Sequence, residues 1–198
     1  DDWENPHDKD AKIAKLKDGR THLAYKAEHV VDLQTEVILA AEIYAANEAD
    51  AATLVPSVER AQDHLDATET GKLIGKIAAD KGYHALQTLE GVAQAALIGA
   101  KTYIPERQTK WNWDDKTPEQ KRAVLNNRAR TERDYGKRLQ RQRSERVERS
   151  FAHVCETGGG RRTWLRGLPN VRKHHLVKAA AHNLGLILRK LLGAGKPR

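Results

Sequence analysis

The sequence predicts a mixed α/β fold, and three observations carry that prediction. Thr21–Val31 and Glu36–Tyr44 are dense in β-branched and apolar residues and are joined by Asp32-Leu33-Gln34-Thr35, the pattern of a hairpin. Lys72–Ala79 and Lys101–Ile104 are short apolar runs bounded by glycine or proline, which read as further strands. The segments between and after them carry apolar residues at helical spacing. The order strand-strand-helix-strand-helix-strand is that of a mixed sheet with covering helices.

Each element follows from its residues. Residues 1–20 are polar, punctuated by Pro6 and Gly19, and read as an extended lead-in. In the hairpin, Val30, Val31, Val37, Ile38 and Leu39 leave few polar positions, so at least one strand lies inside a sheet. His22 and His29 read there as strand-surface or packing residues. Asn47-Glu48-Ala49-Asp50 supplies capping groups for a helix over Ala51–Ala67, with Leu54, Val58, Ala61 and Leu65 on one face and Pro56 near its first turn. Thr68–Gly71 break the chain before the strand that ends at Asp80. A helix over His84–Ala100 turns Leu86, Leu89, Val92, Ala93 and Ala96 inward. After Pro105 comes a polar stretch with Trp111 and Trp113, aromatics that stack on bases or anchor the loop to its own protein. A long helical pattern runs from Glu119 to about Val154, with a break near Gly136 and a core stripe of Leu139, Val147, Phe151 and Val154. Gly158-Gly159-Gly160 ends it; without a following Lys-Ser/Thr the triplet is a weak candidate for cradling phosphate. The last helix, roughly Val171–Leu192, sets Leu176, Ala180, Asn183, Leu184, Ile187, Leu188 and Leu191 at helical spacing and reads as a packing helix.

Charge narrows the partners. The 198 residues carry a net +8, but residues 1–100 hold 10 Lys and Arg against 18 Asp and Glu, while residues 101–198 hold 25 against 9. A second half at +16 beside a first half at −8 points to a polyanion, and its arginine richness favours nucleic acid over a merely solvated helix face. No apolar run is long enough to span a bilayer, and a single cysteine, Cys155, rules out an internal disulfide framework and fits a reducing compartment. With no methionine anywhere, Asp1 is expected to follow an upstream segment.

The candidate chemistry starts at Asp80. A strand, an acid at its carboxyl end, Gly82 and a new helix place that carboxylate where α/β sheets gather their reacting groups, although capping the next turn is the plain alternative. Phosphoryl transfer to or from DNA commonly uses convergent carboxylates around divalent metals, and Mg²⁺ takes oxygen ligands. Glu148 is a candidate partner, flanked by Val147 and Phe151 on an apolar face and by Arg146 and Arg149; Glu145, one turn earlier, competes with it. Arg138, Arg141, Arg143, Arg146 and Arg149 are the candidate DNA contacts. A surface acid paired with neighbouring arginines is the bland reading for both glutamates.

Ala79-Asp80-Lys81-Gly82-Tyr83-His84 resembles the segment around the second catalytic aspartate of insertion-sequence DDE transposases. Arg146-Val147-Glu148-Arg149-Ser150-Phe151-Ala152-His153 resembles the segment that carries their final glutamate. Asn5-Pro6-His7-Asp8-Lys9-Asp10-Ala11, Ala27-Glu28-His29-Val30-Val31-Asp32, Glu156-Thr157-Gly158-Gly159, Leu165-Arg166-Gly167 and Asn183-Leu184-Gly185-Leu186 are similar to bacterial members in order and spacing, over nearly the whole chain. The resemblance implies a ribonuclease-H-like domain that cuts and joins double-stranded DNA at element ends and target. It implies Asp80 and Glu148 as ligands of Mg²⁺ or Mn²⁺, a bacterial cytoplasmic protein at the nucleoid, no membrane, and a possible homodimer in the complete protein. On this reading residues 21–198 form an incomplete domain, with sheet and covering helices in 21–104 and a basic helical part in 105–198. The departure is at the family's first aspartate, which lies on a first strand ahead of the hairpin. Asp8 and Asp10 lie in a polar segment, Asp18-Gly19 is followed by Arg20, and Asp32 lies at the wrong end of a strand. The family's helix also tends to carry a Tyr, Arg, Glu, Lys spacing around the glutamate; Tyr135 and Arg138 hint at it, but Gln142 stands four residues after Arg138, and Cys155 occupies the lysine's offset from Glu148. The expectation is therefore a fold lacking its first strand, and a fragment inactive alone.

Two other classes stay open. A non-enzymatic nucleic-acid-binding module explains the basic half without Asp80 or Glu148. A metal-binding regulator would use His174, His175 and His182 with Cys155, although adjacent histidines point apart on a helix.

Overall fold

The computed structural model describes residues 4–15, 19–94, 99–107 and 112–195, and the chain divides into two compact units. One unit draws on Asp1–Glu48 and Arg146–Arg198, the other on Ala49–Glu145.

The first unit is built on an antiparallel sheet of β1 (Lys12–Lys15), β2 (Thr21–Val31) and β3 (Ile38–Ala45), in that spatial order. β1 is a four-residue strand within the polar lead-in, where no periodicity announced one; it pairs Lys12 with Ala24. β2 and β3 form the expected hairpin, paired from Tyr25 with Ala45 to Val31 with Ile38, with a bulge at Val30/Val31. Its turn closes on Asp32, whose carboxylate accepts from the Gln34 and Thr35 N–H groups at 3.2 and 3.0 Å and from the Thr35 hydroxyl. Helix α5 (Leu168–Leu191) packs on β3, and Ile38, Ala41, Val154 and Ala179 form the buried apolar cluster. Asn183 on α5 brackets Ile38, accepting its N–H at 2.9 Å and donating to its carbonyl at 2.8 Å. Asp8 and Asp10 are committed to the start of α5: they accept from the Gly167 and Leu168 N–H groups at 3.1 and 2.8 Å.

Along α5 the buried residues are Val171, His175 and Ala179, whereas Leu184, Ile187, Leu188 and Leu191 are 47 to 76% exposed. The expected packing stripe is thus shifted. The face turned inward is the one that carries His175 and Asn183, because the polar bracket on Ile38 fixes the helix's rotation.

The second unit contains α1 (Asp50–Asp66), β4 (Lys76–Ala78), a 3₁₀ turn (Lys81–Tyr83), α2 (Leu86–Gln94), β5 (Lys101–Tyr103), α3 (Pro118–Glu132) and the start of α4 (Asp134–Phe151), which runs on into the first unit. β4 and β5 are parallel, with Ile77 opposite Thr102. β4 is shorter than Lys72–Ala79 for a specific reason. The Gln62 amide donates to the Lys72 carbonyl at 3.0 Å and accepts from Ile74 N–H at 2.8 Å, so a helix side chain takes the backbone groups a ladder would have used. On α2, Leu89 and Val92 are buried as expected and Ala93 is exposed; Ala96 lies outside the described residues. Among the described residues the strands form two separate sheets, not one mixed sheet.

The long helical pattern breaks at Arg133, which is extended (φ −69°, ψ 157°) between α3 and α4. Gly136 makes the break possible, because a Cβ there would lie 2.3 Å from the Arg130 carbonyl oxygen. α3 begins with a capping box, Thr117 accepting from Gln120 N–H and the Gln120 side chain accepting from Thr117 N–H. Among the described residues no helix is long and apolar enough to cross a membrane.

Candidate active site

Asp80 stands at the carboxyl end of β4. Ile77 and Ala79 alternate into the core at 6% exposure each, and the pleat turns Asp80 outward, where it is exposed. Its carboxylate accepts from Lys81 N–H at 2.6 Å and so caps the turn; the second carboxylate oxygen is not used in that bond. The turn behind it is tightly held. Arg107 donates to the Lys81 and Gly82 carbonyls at 3.2 and 2.5 Å, and Gly82 backs onto Asp50 so closely that a Cβ would lie 2.4 Å from its carboxylate oxygen. Gln140 of α4 donates to the carbonyls of Ala79 and Tyr103, fixing the ends of β4 and β5. His84, closing the turn, is buried, and burial lowers its pKa, opposed by Glu106 3.9 Å away; Glu106 in turn binds Arg128 at 3.0 Å. Asp80 therefore sits on a rigid exit turn beside the cations Lys81 and Arg107.

Glu148 is exposed on α4, within a turn anchored in the first unit. Arg149 pairs at 2.5 Å with Glu36, a carboxylate only 4% exposed that sits in the left-handed region (φ 68°) after the hairpin turn. Ser150 donates to the Val147 carbonyl at 2.8 Å, and its oxygen lies 2.8 Å from His29 Nδ1. With the hydroxyl proton committed to Val147, Nδ1 carries the ring proton and Nε2 accepts from His175 Nε2, also 2.8 Å away. Phe151 stacks on His29 at 4.1 Å. Desolvation is the main reason these two histidines stay neutral: His29 is lowered to about 3 and His175 to about 4. His29 is thus a packing residue, as its strand position suggested.

Asp80 belongs to the second unit and Glu148 to the first, with Glu145 the last residue of the second. Among the described residues no three histidines, cysteines or acids cluster as metal ligands. Asp80 and Glu148 are both exposed residues, and carboxylate is the donor type that hard divalent cations take. Of the arginines, Arg138 and Arg141 are exposed, Arg138 lying over the Tyr135 ring at 5.3 Å. The Nε atoms of Arg143 and Arg146 are buried without a hydrogen-bond partner, while Arg149 is engaged by Glu36. Trp113 lies under Arg128 at 5.9 Å, an anchor to its own unit; Trp111 lies outside the described residues. The three histidines of the regulator reading are dispersed. His174 faces Trp164, His175 bonds His29, and His182 stacks on His153.

Arg107 and Gln140 were not singled out by the sequence. Neither has a motif; each acts by donating to backbone carbonyls, and only Arg107's position just after Pro105 and Glu106, at the exit of β5, hinted at a place near a strand end.

An α/β chain with an acid at a parallel strand's carboxyl end and a basic, acid-bearing helix is the class defined by these features. The family model of the transposase DDE domain matches residues 1–184, and the chain belongs to that family. The family serves DNA transposition, so DNA is its general substrate, and it typically uses divalent metal. No curated protein and no solved structure matches the chain.

Proposed function

We propose that this chain carries the second aspartate and the final glutamate of a bacterial insertion-sequence transposase, Asp80 and Glu148, within a ribonuclease-H-like domain that cuts and joins double-stranded DNA at element ends. The observation that carries the reading is the family match together with an exposed Asp80 at the carboxyl end of β4. The order of an antiparallel meander followed by parallel strands and helices supports the ribonuclease-H-like assignment. In this reading Asp80 and Glu148 hold Mg²⁺ or Mn²⁺, and Arg107 keeps the turn after Asp80 from shifting under a doubly charged ion. Bound metal supplies Lewis-acid activation of the attacking and leaving oxygens. Arg138, Arg141, Arg143 and Arg146 hold phosphates, and Arg149 chiefly keeps the Glu148 turn in register through Glu36.

Fe²⁺ in place of Mg²⁺, with peroxide, cleaves a backbone next to its ligands. Cuts at both the Asp80 and Glu148 segments, suppressed by Mg²⁺ and lost in Asp80→Asn, are expected. Cuts at Glu145 that survive Glu148→Gln would transfer the role to Glu145. DNA binding without metal-dependent cuts at either segment would leave a non-enzymatic binding module.

A further inference from the structure

Within the first unit, a π-helical turn (Ala152–Thr157) and one face of α5 enclose an open pocket of about 530 Å³, a ligand-sized volume. Lys178, His182 and Arg189 line it from α5, and His153 and Gly158 from the turn. No carboxylate lines it, and α5 contains no Asp or Glu over its whole length. Among the described residues neither Lys178 nor Arg189 forms an ion pair. Each donates one hydrogen bond to a backbone carbonyl, Lys178 to Gly158 at 2.5 Å and Arg189 to Gly195 at 3.0 Å, and keeps further donors and its full charge.

The glycine triplet at the mouth does not supply the anion contacts. Gly158 and Gly160 N–H groups are spent on the His153 and Val154 carbonyls at 2.8 and 3.0 Å, and a Cβ at either would lie within 2.7 Å of the Val154 carbonyl oxygen. The glycines are there to let the chain close on itself; the cations come from α5.

We propose that this pocket is a phosphodiester-binding site, separate from the Asp80 and Glu148 segments, that grips the backbone of a bound DNA strand through Lys178, His182, His153 and Arg189. Its length argues for a polymer over a single phosphate. Lys178 and Arg189 are eleven residues apart on one helix, about 16 Å at 1.5 Å per residue, more than one phosphate can bridge. The paired imidazoles point the same way. His153 and His182 stack at 5.5 Å, and burial followed by His153 holds His182 below its usual pKa, opposed by Glu36, whose backbone His182 hydrogen-bonds. The groups that face the pair are Lys178 and Arg189 from α5 and Glu36 from the hairpin; Glu36 is already engaged by Arg149, and Glu156 of the turn by Arg161. A phosphate bound at the edge of the pair would place negative charge beside His182 and favour its protonated form.

The inference rests on the DNA reading for the identity of the polyanion, and two measurements on the full chain separate their failures. Inorganic phosphate is titrated while the ring resonances of His153 and His182 are followed. Affinity for a duplex oligonucleotide is measured against salt. Phosphate should shift both ring resonances and raise the pKa of His182, with the shift lost in Lys178→Gln and reduced in the exposed-site variant Arg189→Gln. Each substitution should reduce the salt slope by about 0.9, the release from one phosphate, and Lys178→Arg should restore it. Absence of ring shifts in a folded wild-type chain overturns the site. Ring shifts with an unchanged salt slope overturn the DNA occupant and leave a pocket for free phosphate. Ring shifts in a chain that binds no DNA overturn the DNA reading, and with it the occupant assigned here.

Discussion

The two units solve the same problem with different materials. Each uses one helix asparagine to complete a strand end: Asn183 brackets Ile38 in the first unit, and Asn127 brackets Ile104 in the second, accepting its N–H at 3.0 Å and donating to its carbonyl at 2.8 Å. Around Asn127 the second unit is apolar, with Ile77, Leu89, Val92, Ile104 and Val124 all at 6% exposure or less. The first unit has a small apolar cluster and buries three glutamates instead: Glu28, Glu36 and Glu42 at 6, 4 and 6%. Lys26, Arg149 and Arg172 meet them. Charge pairs specify the first unit, and volume specifies the second. A buried pair is worth little against an apolar replacement, but losing one partner strands the other.

The largest effect should therefore come from Arg149→Ala, which takes the arginine partner from the buried Glu36 and should cost up to about 3–5 kcal/mol. Glu36→Gln with Arg149→Met should recover most of it, measured by urea unfolding of each variant. A single substitution that costs no more than a surface change would mean that the pair is solvated, and the contrast between the units would collapse.

The asparagines come next. Asn127 is wholly buried, whereas Asn183 is only partly so. Replacing Asn127 by Ala strips two buried backbone groups of their partner, at about 1–3 kcal/mol each at most, and should cost more than Asn183→Ala, where water reaches the freed groups. Equal costs in thermal melts would show that the two brackets are sealed alike.

Acid should separate the units by a smaller margin at first. His29 and His175 have folded-state pKa values of about 3 and 4, below the ordinary value of 6.5. Below pH 6.5 the unfolded chain takes up protons that the folded first unit refuses, so stability is full above pH 6.5 and falls as pH drops toward 4. The protection factors of β2 and α5 amides, corrected for the intrinsic slowing of exchange in acid, should fall over that window, and His29→Gln should flatten the response. His84 adds a dependence of the same sign in the second unit, since its pKa is also lowered.

What was legible in the sequence was whatever a local pattern encodes. The hairpin, α1 and the exit turn at Asp80 follow from alternation, helical spacing and a Gly after an acid. β1 was hidden because Lys12–Lys15 alternates over only four residues. The rotation of α5 was hidden for a deeper reason: Leu184, Ile187, Leu188 and Leu191 outvote Asn183 in any hydropathy reading, but the Asn183 amide bonds decide which face turns in. Asp80 was legible from its strand end. Arg107 and Gln140 were not, since binding a carbonyl requires no residue pattern and is visible only once the strands are placed.

The smallest effect on stability should fall where the effect on binding is most readable. Arg138 and Arg141 lie exposed on α4, and neither forms an ion pair among the described residues. Replacing both by Gln removes no buried partner, so unfolding should shift by no more than about 0.5 kcal/mol. Their proposed work is phosphate contact, and losing two contacts should lower the salt slope of duplex-DNA affinity by about 2 and weaken binding alike across sequences. Arg149→Ala supplies the contrast, with a large loss of stability and a salt slope little changed in the fraction that remains folded. If Arg138→Gln with Arg141→Gln left the slope intact while Arg149→Ala lowered it, the buried pair would be the DNA contact. The division between arginines that hold the fold and arginines that hold DNA would then have to be redrawn.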